Sequence, residues 1–149
     1  MKIVAMIARY LMGLVFLVFG LNGFLHFIPA GPALTGPAGQ FVGALVESHF
    51  FLVVAGLQIL GGLLLLVNRY VPLALVILGP VIVNIFFFHL LMSPSGLPMA
   101  IGVVVLWGIV AAAHWQYLSG ILTQRTSEVR WNAGDGVSGE FSPAARGAR

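Results

Sequence analysis

Acidic and basic side chains are absent from positions 10–46, 48–68 and 70–124, and most residues in these stretches are aliphatic or aromatic. A helix crossing a bilayer needs roughly 20 apolar residues. The first two stretches therefore accommodate one helix each and the third accommodates two. Breakers set the limits. A first span over 3–27 stops at Pro29, Gly31 and Pro32, which cannot continue a helix. A second covers 50–67 and turns at Asn68–Arg69. A third covers 71–91, with Pro72 in its first turn, where a missing backbone N–H does little harm. The segment Ser93 to Pro98 is a tight connection to a fourth span over 99–118. The pattern predicts an all-α integral membrane protein, a four-helix transmembrane bundle over residues 1–122.

Composition agrees. Of 149 residues 60% are hydrophobic and only 7% charged, with mean hydropathy +1.05, outside the range of soluble globular domains. The positive charges give an orientation: Lys2, Arg9, Arg69, Arg125, Arg130, Arg146 and Arg149 all fall on one side of the predicted spans. By the positive-inside rule both termini are cytoplasmic, and the loops Pro29 to Ser48 and Ser93 to Pro98 face outward. Tyr10, Tyr70, Trp115 and Tyr117 form an aromatic belt at the inner boundary. The first span is too long for a signal peptide and lacks a small-x-small cleavage site, so it is expected to be retained. No basic stripe interleaved with aromatics invites nucleic acid. The absence of cysteine excludes disulfides, thiol catalysis and iron–sulfur clusters.

Two segments do not span. In the outer loop, Thr35 or Gly36 is placed to cap a short helix with Pro37 in its first turn. Phe41 with Leu45 and Val42 with Val46 at helical spacing predict that it lies on the outer surface. From Thr123 to Arg149 the composition turns to Arg, Ser, Gly, Asp and Glu, which predicts a disordered cytoplasmic tail. Glycines 13, 20, 23, 56, 61, 62, 102 and 108 are expected to let helix backbones approach.

Candidate chemistry rests on a few polar residues. His26, Glu47, His49 and His89 share the outer level of the predicted bundle, with Asn22 and Asn84 one to two turns deeper and Gln58 about 12 Å into its helix at 1.5 Å per residue. Each alone has an ordinary explanation in headgroup contact or helix–helix hydrogen bonding. Their shared depth points to an outward-opening polar pocket of Asn22, His26, His49, Gln58, Asn84 and His89. Asn84 and His89 lie about 140° apart around their helix and cannot point along one radius. Neutral amide and imidazole groups suit the oxygens of a quinone, Phe86, Phe87 and Phe88 suit its ring or tail, and histidine can pass the accompanying protons. A haem held by His26 and His89 lacks any further signature. No metal site is expected, since Glu47-Ser48-His49 is only a fragment of a ligand motif. On the inner side, Arg9 and His114 are expected to make polar or lipid contacts, Arg9 either snorkelling to headgroups or pairing with a helix carbonyl or an anionic lipid.

The blocks RYLMGLVFLVFGLNGFLHF (Arg9 to Phe27), VAGLQILGGLLLLVNRYVPLAL (Val54 to Leu75) and NIFFFHLLMSPSGLP (Asn84 to Pro98) resemble recurrent segments of the DoxX and DoxX-like family of small bacterial membrane proteins. The resemblance covers about Arg9 to Tyr117 and implies a bundle in the bacterial inner membrane and a link to membrane-bound oxidoreduction, including a quinone-reducing subunit that oxidises thiosulfate. Arg9, Gly13, Phe16, Gly20, Gly61 and Gly62 match as packing and topology positions. Many relatives carry glutamate where this chain has Gln58, a departure that removes an ionisable group mid-membrane. Three functions follow as expectations: a quinone-interacting subunit or accessory component acting with a redox partner, a non-catalytic membrane anchor or assembly factor, and a small lipid or solute carrier. The last is disfavoured by the absence of intramembrane carboxylates, inverted repeats and broken helices. Membrane lipids and a homo-oligomer complete the expected partners.

Overall fold

The computed structural model describes residues 2–29 and 31–122, so the expected disordered tail lies outside the described residues. Every regular element among them is helical: α1 (Lys2–Leu25), α2 (Gly36–Glu47), α3 (Phe50–Leu66), α4 (Val71–Leu91), α5 (Leu97–Ala113) and the single turn α6 (Trp115–Leu118), with short 3-10 turns at Pro94–Gly96 and Ser119–Leu122. Three helices among the described residues are long and apolar enough to cross a membrane, α1, α4 and the 3-10 turn continued by α5; α2 and α3 meet the same measure only as a pair bent by 83°, which makes a fourth where the pair counts as one span. At 17 residues α3 sits at the short end of the spanning range.

The four long helices form a ring in which α1 packs on α3 and α5, and α4 closes the square against the same two helices. Neighbours are antiparallel: Gly13 faces Gly62 and Leu66, and Gly20 and Gly23 face Ala55. The start of α1, the 67–70 turn and the end of α5 therefore share one end of the bundle. His26, the bend at His49 and the turn after His89 share the other. The core is densest toward the first end, where Met12, Phe16, Leu65, Leu75, Leu78 and Val110 are fully buried. Toward the second end small residues, Gly20, Gly23, Ala55 and Ala100, take several of the buried positions beside Ile82 and Val103.

Several boundaries differ from the expected ones for local reasons. α1 stops at Leu25 rather than at 27 because His26 turns into the left-handed region (φ 52°), and the carbonyl oxygen of Asn22 accepts its N–H at 2.9 Å. The last helix begins at Leu97 and breaks after Ala113, where the Nδ1 of His114 lies 2.9 Å from the Val110 carbonyl oxygen, sharing it with its own backbone N–H. Asn68 and Tyr70 take positive φ, which lets four residues reverse the chain between α3 and α4. In α2 the inward face is Ala38, Val42 and Leu45, with Phe41 and Val46 exposed, so the expected pairing of apolar positions is rotated. Thr35 stands at the N-cap but makes no side-chain cap bond.

The glycines divide. A methyl group at Gly62 would lie 2.8 Å from the carbonyl oxygen of Gly13 and from the backbone nitrogen of Leu17, and one at Gly20 would lie 2.9 Å from backbone atoms of α3. At Gly56, Gly102 and Gly108 it would meet nothing within 4 Å. The expectation that these three also serve close helix approach is therefore corrected: they lie away from any helix crossing.

Candidate functional site

The fold places His26, Glu47, His49 and His89 at the same end of the bundle, but the hydrogen bonds of the polar set run locally. The side-chain oxygen of Asn22 accepts the backbone N–H of Ile28 at 2.6 Å, tying down the chain as it leaves α1. Asn84 donates its amide N–H to the Pro80 carbonyl one turn back in α4, at 3.0 Å. His89 sets Nδ1 3.0 Å from the Ser93 carbonyl oxygen, so in the neutral ring Nδ1 carries the proton and Nε2 is left as an acceptor. No hydrogen bond joins two members of the set among the described residues. His26 and His49 are exposed and both adopt positive φ, which makes them turn residues as well as candidate ligands.

Packing separates these residues further. The His89 ring meets Phe88 edge-on at 5.2 Å between centroids, and Phe88 in turn lies 5.8 Å from Phe41 of α2. α2 thus rests on the end of α4 through an aromatic chain that ends at His89. Gly96 lies directly against the His89 ring, where any Cβ would collide with it. Asn84 is exposed on the outside of α4. It does not share a wall with His89.

Gln58 is different. At about 100° per residue it lies between Ala55 and Gly62, which meet α1, and Gly61, which meets Leu78 of α4. It therefore projects toward the bundle interior. Its side chain is half-buried and makes no hydrogen bond to any described residue. Every fully buried side-chain nitrogen or oxygen among the described residues has a partner, so the Gln58 amide is reachable from outside the packed core. His26 and His49 also make no side-chain hydrogen bond among the described residues but lie exposed at the bundle end, so Gln58 is the member of the set that combines an unpaired, accessible side chain with a place on the interior side of its helix.

A second feature lies apart from these residues. Between α4 and α5 runs an apolar groove of about 260 Å³, walled by Ile82, Phe86 and Phe87 on one side and Val104 and Trp107 on the other. The Trp107 indole N–H is not available there, since it donates to the Leu75 carbonyl oxygen at 3.1 Å. At the opposite end of the bundle Arg9 is 5% exposed and donates to the Leu65 carbonyl oxygen near the end of α3, with its guanidinium carbon 4.3 Å from the Tyr10 ring centre. Of the readings open to Arg9, the structure has the helix carbonyl, not an arm extended to the headgroups. The signal in the sequence was the lack of a nearby acid; the acceptor itself had none. No group of three or more His, Cys, Asp or Glu able to hold a metal occurs among the described residues.

Comparison with protein-family models, with curated proteins and with solved structures finds no match to the chain.

Proposed function

We propose that this is a multi-pass protein of the bacterial inner membrane, with both chain termini cytoplasmic, that binds a lipid-soluble quinone as a component of a membrane redox system. The single observation that carries the reading is Gln58: an unpaired, reachable amide on the interior side of an otherwise apolar helix. A carboxamide donates to a quinone carbonyl and accepts from a quinol hydroxyl, so it can hold either redox form. It cannot take up protons. Protons for such a couple would pass through the imidazole of His49 or His89, at the end of the bundle opposite Arg9. The DoxX-like blocks quoted above support the same class of function.

The test is to purify the protein in mild detergent, record oxidised and dithionite-reduced spectra and assay an organic extract for quinone. Stoichiometric quinone that falls about tenfold in Gln58→Leu, a change of about 1.4 kcal/mol in binding, supports the proposal. A blank extract, together with no saturable binding of an added short-chain ubiquinone, overturns it.

One observation favours a second reading, a non-catalytic anchor or assembly factor. Asn22, Asn84 and His89 each satisfy a backbone group within six positions, as residues do that only shape their own helix or its end. On that reading Gln58→Leu leaves every cellular phenotype unchanged.

A further inference from the structure

We propose that the exposed face of α4 that carries Asn84 is a contact between two copies of this chain, built on reciprocal hydrogen bonds between their Asn84 amides. The inference rests on the membrane reading above and not on the quinone site. Val76, Pro80, Asn84 and Phe87 follow one another at helical spacing along this face, and all four are exposed. Asn84 lies seven residues, about 10 Å, from the end of α4 at 1.5 Å per residue, well inside a hydrocarbon layer about 30 Å thick. Its N–H reaches the Pro80 carbonyl, but its side-chain oxygen has no partner among the described residues. Lipid tails offer it none, and one turn away Pro80 has no N–H to give.

A second copy answers this need more directly than a different partner. A carboxamide is donor and acceptor at once, so two of them facing each other across a two-fold axis are self-complementary. The neighbouring exposed side chains, Val76, Val83 and Phe87, are apolar and offer no charge by which to select a charged partner. Phe87 and Val83 also border the groove between α4 and α5, which gives the opposing side chains a concavity to enter.

The native chain has no cysteine, so single introduced cysteines report contacts without background. Membranes are first extracted at alkaline pH; release of the chain would sink the membrane reading, and this proposal with it, whatever the quinone assay shows. In the retained protein, Phe87→Cys is expected to form an oxidative dimer, and Val105→Cys, exposed on α5, is not. Single-molecule photobleaching in liposomes of phosphatidylethanolamine and phosphatidylglycerol should show mostly two-step traces. Asn84→Leu should lower the dimer fraction constant about tenfold, and Asn84→Gln should largely restore it. Monomers of the unaltered chain at the same protein-to-lipid ratio would overturn the proposal. So would a dimer that Asn84→Leu leaves intact or that cross-links through Val105→Cys.

Discussion

Arg9 donates a hydrogen bond to the carbonyl oxygen of Leu65, fifty-six positions along the chain. The contact joins the first turns of α1 to the last turn of α3, where carbonyl groups have no partner within their own helix and the helix dipole favours a cation. With 5% exposure and no acidic side chain nearby among the described residues, the guanidinium depends on that carbonyl end for compensation.

Replacing Arg9 therefore weakens the packing of α1 on α3. Arg9→Ala is expected to lower stability by about 1.5–3 kcal/mol, the range for a hydrogen bond made by a charged group. Arg9→Lys should recover part of it. Reversible unfolding in mixed detergent micelles, followed by circular dichroism, measures both.

The two classes of glycine should respond in opposite directions. Gly62→Val drives carbon into backbone atoms of α1, which cannot give way as a side chain can, and is expected to cost about 1–3 kcal/mol by overpacking. Gly102→Ala and Gly108→Ala meet open space and should be neutral or stabilise by about 0.5–1 kcal/mol, since alanine loses less freedom on entering a helix. Equal losses at all three positions would mean that the crossing of α1 and α3 is misplaced.

His89 and Gly96 should be coupled. Gly96→Ala forces the ring off its place beside the 94–96 turn and breaks its contact with the Ser93 carbonyl oxygen. A loss of about 1–3 kcal/mol is expected from the crowding. In a His89→Ala background the same substitution should cost little. A double-mutant cycle with additive effects would rule the contact out.

Trp107 bridges α5 to α4 through the Leu75 carbonyl oxygen. Trp107→Phe keeps most of the ring volume and loses the donor, for an expected cost of about 0.5–1.5 kcal/mol. Hydrogen exchange measured by mass spectrometry should show faster exchange in the 75–83 segment of α4.

Much of the architecture is readable from residue order alone. The charge-free stretches place α1, α3, α4 and α5, and Pro29, Asn68–Arg69 and Ser93 to Pro98 mark where the chain must turn. The helix ends move by a few residues because single side chains decide them. His26 and His114 stop their helices by conformations and hydrogen bonds that charge-free runs do not register.

What the sequence could not determine is which face of each helix points inward. In a soluble bundle the buried stripe is apolar and the outer face polar, so the pattern itself names the core. Here both faces are apolar: Leu78 is fully buried in α4, and Val76 and Val83 on the same helix are exposed. Only the packed structure separates Asn84, outside, from Gln58, inside, or Gly62 at a helix crossing from Gly102 in open space. Chain order fixes how many helices there are and where they turn, because those depend on local hydrophobicity and backbone chemistry. The partners of Arg9, Trp107 and His89 depend on which surfaces meet, and that is decided by shape when hydrophobicity no longer distinguishes one side from the other.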